Sequence, residues 1–229
     1  MELDTVDRHR DAFYRLLGSD ATDEMLEEHG EAANEIVDLC LTRGSRTSQR
    51  FMLDNGYNGW RSRDEITSWS GADAADGGRY TALPDDFLKA YGNERMSALR
   101  KANGDQWGRQ VEPNEAHLKG NYYYIRGDEL WLARAAVVPT TLYLEYHYTH
   151  PKWENLADGA IDFPIDARWL IIAEGANAGK DENWIPAGIE MEAKITRALA
   201  SARDQARAVA RPTKAPRKMK APRRVGNHW

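Results

Sequence analysis

Apolar positions recur with helical spacing towards the two ends of the chain and with strand spacing between them. From Leu3 to Leu17, Val6, Phe13, Leu16 and Leu17 stand among many charges, which predicts a short amphipathic helix stopped by Gly18-Ser19-Asp20. A second helix is expected from near Thr22, whose hydroxyl can accept from first-turn N–H groups, with Asp23 and Glu24 suited to the positive end of the helix dipole. Its clearest part is Ala33, Ile36, Val37, Cys40 and Leu41, which fall on one face. The segment 42–50 mixes hydroxyl residues with Arg43, Arg46 and Arg50. It lacks the Gly-x-x-x-x-Gly-Lys-Ser/Thr spacing of a phosphate loop and reads as a solvated connection.

Between Trp69 and Arg79 the run Ser-Gly-Ala-Asp-Ala-Ala-Asp-Gly-Gly reads as a flexible link, and the pattern beyond it is extended. Tyr122–Ile125 and Leu130–Leu132 flank the turn Arg126-Gly127-Asp128, the signature of a hairpin. From Thr141 the alternation is strict: Leu142, Leu144, Tyr146 and Tyr148 point one way, and Tyr143, Glu145, His147 and Thr149 the other. That predicts a half-buried antiparallel strand, ended by Pro151. Helix returns at Ala167–Ala178, where the bulky run Trp169–Ile172 meets the small residues Gly175, Ala176, Ala178 and Gly179, so that another helix can approach closely. A last helix is expected to start between Asn183 and Pro186. Its stripe is Met191, Ile195, Leu199, Ala202, Ala206 and Val209. Ile195 and Leu199 are expected to pack on the Ile36/Val37/Cys40 face.

Composition then limits what the fold can do. The chain has 229 residues with 41% hydrophobic and 29% charged, and a mean hydropathy of −0.72. That is one globular unit at the polar end of the range. No window approaches the ~20 apolar residues that span a bilayer, and the N-terminus lacks a basic stretch followed by an apolar core. The single cysteine, Cys40, offers neither a disulfide nor a multi-cysteine metal site, and a reducing cytoplasm is the expected setting. Its apolar neighbours would raise a thiol's pKa, so it reads as a core residue. Net charge is −5, but Arg211, Lys214, Arg217, Lys218, Lys220, Arg223 and Arg224 put +7 on residues 211–229. Residues 1–210 keep 24 basic and 36 acidic groups, a balance of −12. An acidic body repels a polyanion, so sequence-specific nucleic-acid binding by the folded part is disfavoured.

Few constellations suggest chemistry. Glu145, His147 and His150 come nearest to a metal or acid–base cluster, but on a strand 145 and 147 share a face that 150 does not. Asp85-Asp86 and the pair Asp162/Asp166 are carboxylates of the kind glycosidases use, and in an acidic protein they read as solvated loop residues. Of the eight tryptophans, Trp131 and Trp169 fall in core-like patterns. No nucleophile elbow, zinc-protease motif or dinucleotide fingerprint occurs.

The string Gly78-Arg79-Tyr80-Thr81-Ala82-Leu83-Pro84-Asp85-Asp86-Phe87 resembles the Tyr-x-x-Leu-Pro-x-Asp-Phe opening of the sheet in head-to-tail connector (adaptor) proteins of tailed bacteriophages. Leu142-Tyr143-Leu144-Glu145-Tyr146, Phe163-Pro164 and the helix from Trp169 through Gly175-Ala176 resemble the strand, proline loop and helix that close the same module. The resemblance covers about residues 22–210 and leaves 88–120 without a family pattern. It implies a mainly α fold, a helical bundle with an inserted antiparallel β-sheet region; the basic C-terminal tail departs from the family pattern, and Pro212, Pro216 and Pro222 predict that it is extended and disordered. The chain would divide into N-terminal helices (1–66), link and β region (67–166), C-terminal helices (167–210) and an extended docking tail (211–229).

The implied function is structural: a virion neck protein, assembled in the host cytoplasm, with no catalysis, cofactor or metal and no membrane. It would form a homo-oligomeric ring of twelve subunits between the portal protein and the tail or lower neck protein, with DNA as passing cargo. The seven basic tail residues and Trp229 are the expected portal-docking residues. The alternatives are a phage-associated carbohydrate-binding or hydrolytic protein, and a nucleic-acid-binding module acting through the basic tail.

Overall fold

The computed structural model describes residues 3–70, 78–91, 97–115, 120–133, 136–156, 161–186 and 188–210. The tail from Arg211 to Trp229 and most of the expected flexible link lie outside them.

Five α-helices make one layer: α1 (Val6–Leu17), α2 (Ser19–His29), α3 (Ala33–Asp54), α4 (Arg168–Asp181) and α5 (Ile189–Ala210). Thr5 caps α1 by accepting from the Arg8 N–H at 3.3 Å. Gly18, at φ 94°, turns the chain directly into α2. Thr22, the expected cap, is therefore inside α2, and its hydroxyl donates to the Tyr14 carbonyl at 3.3 Å. A 3-10 turn at Gly30–Ala32 separates α2 from α3, so the single helix expected from Thr22 onward is two.

The helices pack around α4, which lies most extensively on α3 and next on α5. Small residues make the α3–α4 approach possible, as the sequence pattern on α4 predicts. A Cβ on Gly44 would sit 2.2 Å from the Ile171 carbonyl oxygen, and one on Gly179 would sit 2.6 Å from Cys40 Sγ. Arg10 of α1 binds Asp38 of α3 with two nitrogens at 2.8 and 2.6 Å, and Arg203 of α5 reaches the buried Glu174 of α4 at 2.8 Å. Ile195 is buried, but the α5 stripe rests mainly on α4, and Leu199 is only half-buried. The expected pairing of this stripe with α3 thus gives way mainly to packing on α4, although Arg203 and Arg207 of α5 reach over Phe51 of α3.

The strands are β1 (Arg61–Ile66), β2 (Arg79–Ala82), β3 (Phe87–Ala90), β4 (Leu99–Lys101), β5 (Arg109–Gln110), β6 (Tyr122–Arg126), β7 (Glu129–Leu132) and β8 (Leu142–Tyr148). They form two four-stranded sheets. In the first, β8 is the spine: β1 pairs along one edge, and β3 and β4 pair one after the other along the other edge. The second runs β2-β7-β6-β5, with β6 and β7 joined by the expected hairpin, Gly127 taking φ 63° in its turn. Leu142, Leu144 and Tyr146 of β8 meet Tyr123, Leu130, Leu132 and Trp107 in a second hydrophobic core.

The expectation of a mainly α bundle with an inserted sheet is therefore corrected. Helix takes 50% of the described residues and strand 20%, in two sheets that enclose a core of their own. The strands that hid in the sequence are those without alternation. β1 is Arg-Ser-Arg-Asp-Glu-Ile, exposed along most of its length, and lies in a span expected to be helical. β4 and β5 are two or three residues long and lie in the stretch that showed no pattern. Segment 42–50 is likewise not a solvated connection but the middle of α3, where Ser45, Ser48 and Gln49 are fully buried.

Candidate functional site

Among the described residues, the constellations that could carry chemistry are used for structure. Glu145 pairs with Arg100 at 3.0 Å. His147 donates from Nδ1 to the Gly59 carbonyl at 2.9 Å, and its ring meets the edge of Tyr91. His150 lies on the far side, buried, with Nδ1 donating to the Pro151 carbonyl at 3.1 Å. The three do not converge, as the strand periodicity predicts, and no group of three potential metal ligands occurs among the described residues. Burial lowers the pKa of both histidines below the usual imidazole range.

Two of the four loop carboxylates, Asp86 and Asp162, are joints, and Asp85 and Asp166 are exposed. Asp86 accepts from the Tyr146 hydroxyl at 2.8 Å and its carbonyl accepts from the Thr149 N–H at 2.6 Å, which fastens the β2–β3 connection to β8. Asp162 accepts from the Tyr148 hydroxyl, and its carbonyl accepts from the Trp60 indole. Cys40 is buried against α4, and burial pushes its thiol up to about 12, far from the thiolate a nucleophile needs.

Helices and sheets meet through a polar joint. Gln49 of α3 donates to the Tyr148 carbonyl at 2.6 Å and accepts from the His150 N–H at 3.0 Å. Thr42 accepts from the Trp153 N–H at 2.8 Å. His9 closes the joint from α1, its ring against the edge of Trp153 at 5.0 Å between centroids. Sequence reading missed this joint because its members are polar residues in a stretch without apolar spacing.

What remains for function is surface. Trp169, expected in the core, is 40% exposed and Ile165 63%. With Leu16, Ala198 and Ala202, Trp169 lines an open cleft of about 220 Å³ between α1, α4 and α5. Trp131 lies in an aromatic ladder, stacked on Tyr80 and Tyr124 across three strands. No described helix is long and apolar enough to cross a membrane. The expected docking residues, from Arg211 to Trp229, lie outside the described residues.

A family model described as SU10 adaptor protein matches residues 15–217, from the end of α1 through both sheets and α5. Comparison with curated proteins gives no match.

Proposed function

The chain belongs to the SU10 adaptor protein family, and from that membership we propose that it is a structural protein of the phage neck, a ring seated between the portal and the tail or next neck protein. The observation that carries this reading is the span of the match, which takes in the helical layer, both sheets and part of the basic tail. The ring has twelve subunits, is assembled in the host cytoplasm, and lets DNA pass as cargo without reading it. The −12 balance of residues 1–210 supports this, because carboxylates near a channel repel the phosphate backbone. No catalytic step is assigned to it.

Residues 211–229 are the docking arm to the portal. Nineteen residues at ~3.3 Å each reach roughly 60 Å. The arm carries +7 and three prolines and ends in Trp229, an aromatic that can fill a pocket as an anchor. The test is binding of the full chain and of a chain lacking 211–229 to the portal protein of the same phage, with DNA binding measured at several salt concentrations. The full chain is expected to bind portal and the truncated chain to lose that binding. A truncated chain that binds portal as before while losing DNA binding makes the arm a nucleic-acid element. Failure of the full chain to bind portal, with no density for it in the neck of the virion, overturns the adaptor reading.

A further inference from the structure

Two exposed faces of this chain carry opposite charge and are held apart by a helix. The first is the outward face of the sheet built on β8, where Arg61 and Arg63 project beside His147 and Glu145. Their guanidinium groups lie over Tyr91 and Tyr143, at 3.9 and 4.0 Å from the ring centroids. Stacking fixes the planes and leaves N–H edges for a further partner. Lys89 and Arg100 on the same face are taken by Asp54 at 3.5 Å and Glu145 at 3.0 Å. Arg61 donates to the Asn58 side chain at 3.1 Å. Neither Arg61 nor Arg63 is in an ion pair with a described carboxylate: Glu145, directly across from Arg63, is taken by Arg100, and Glu65 lies one strand repeat beyond Arg63.

The second face is the outside of α2 and the start of α3, with Asp23, Glu24, Glu27, Glu28, Glu31 and Glu35 all exposed. Among the described residues, the one basic side chain within 4 Å of these six is the imidazole of His29, 3.8 Å from Glu28. Leu26, 45% exposed, sits among them as an apolar spot.

The two faces cannot neutralise each other within one molecule. The acidic face runs into the N-terminal end of α3 through the turn Gly30–Ala32, whereas the sheet is fastened to its other end, by Gln49 to β8 and by Asp54 to Lys89. Glu35 and Asp54 are nineteen helical steps apart on α3, about 28 Å at 1.5 Å each. We propose that the acidic face of one copy docks on the Arg61/Arg63 sheet face of the next, so that subunits join head to tail. An interface between unlike faces repeats around an axis, and it closes into a ring when the rotation closes. This contact rests on the ring reading given above and names where its subunits meet. A second copy is the occupant the charges favour over DNA: two stacked arginines in a body of −12 are too few to hold a duplex, whereas they match the carboxylates of one helix.

The test uses the full chain in four forms: wild type, Arg61→Glu/Arg63→Glu, Glu24→Lys/Glu27→Lys, and an equimolar mixture of the two variants. Assembly is followed by sedimentation velocity at low and high salt, alone and on portal rings, with melting curves to check folding and a duplex-binding assay beside it. Each variant is expected to melt like the wild type and to need roughly tenfold or more higher concentration to assemble. The mixture is expected to restore assembly, and high salt to weaken all forms. Variants that assemble like the wild type, or a mixture that fails to rescue, overturn the contact and leave the ring reading standing. A wild type that stays monomeric both alone and on portal overturns the ring reading and the contact together. Loss of duplex binding by Arg61→Glu/Arg63→Glu with assembly intact assigns the sheet face to nucleic acid and also overturns the proposal.

Discussion

Gly44→Ala tests whether α3 and α4 touch backbone to backbone. On sequence grounds the change should help, because Ala in a helix interior is favoured over Gly by about 1 kcal/mol. The structure reverses the sign. The new Cβ would lie 2.2 Å from the Ile171 oxygen, 2.6 Å from the Gly175 nitrogen and 2.8 Å from its Cα, all backbone atoms that no rotamer change can move. Relief needs the helices to part by about 1 Å, and a gap of that size forfeits a quarter to a half of the dispersion energy across the crossing. Val37, Leu41, Ile171 and Ile172 are fully buried and have no slack with which to fill it. Overpacking of this kind costs about 3 kcal/mol, so the net after the propensity gain is about 2 kcal/mol. In a domain of this size that lowers Tm by about 4–8 °C. Thermal unfolding followed by circular dichroism measures it, with Ala208→Gly on the exposed side of α5 calibrating propensity alone. A Tm for Gly44→Ala equal to or above the wild type refutes the close crossing.

Gln49→Leu strips partners from a buried carbonyl and a buried N–H, and at about 1–3 kcal/mol each the expected loss in urea unfolding is roughly 2–6 kcal/mol; a loss below 1 kcal/mol would dismiss Gln49 as the joint. Ile195→Ala should cost about 2–5 kcal/mol and half-buried Leu199→Ala clearly less, so equal losses would put Leu199 in the core after all. Burial lowers the pKa of His9 from 6.5 to about 4, opposed by its bond to the Thr5 carbonyl and reinforced by Arg168 and His150 nearby. The fold therefore favours the neutral ring: stability is full above pH 6.5 and falls by about 3 kcal/mol as pH drops to 4. Urea midpoints between pH 8 and 4 check this, and a His9→Gln chain with the same pH slope as the wild type assigns the effect elsewhere.

Elements that bury one face and wet the other were legible in the sequence. Leu142/Leu144/Tyr146 on β8 and the stripe on α5 repeat at their own periods because one side meets a core, whereas the β6–β7 hairpin, buried at consecutive positions, was legible from its glycine turn. Where burial is set by something other than apolar side chains, the pattern fails. Segment 42–50 of α3 is buried because Gly44 admits the backbone of α4 and because Gln49 is satisfied by β8, and neither reason leaves an apolar repeat. In α4 the reverse holds: Leu170 to Ala176 are buried on nearly every side, so periodicity could not show that Trp169 faces outward. The separate core of the sheets was hidden because β1 presents a single buried residue and β4 and β5 are too short to alternate. As for the site, the charge of 211–229 was visible in composition, whereas the Arg61/Arg63 face is created by pairing β1 with a strand some eighty residues away.

The proposed head-to-tail contact makes a demand on the fold that α3 meets. Both charged faces are tied to this one helix, the acidic face by chain continuity at its start and the sheet face by Gln49 and Asp54 at its end. A continuous helix of 22 residues is a rod of about 33 Å whose length does not vary with loop conformation. It is clamped along its middle by the Gly44–Gly175 crossing and near its start by the Arg10–Asp38 pair. The spacing and relative orientation of the two faces are thereby fixed before any subunit meets another. For unlike faces, that spacing and orientation set the rotation per subunit, and so decide whether the assembly closes and at what number. This gives the buried glycines a role beyond stability, since the approach of α3 to α4 sets the angle at which the sheet face is presented to its neighbour.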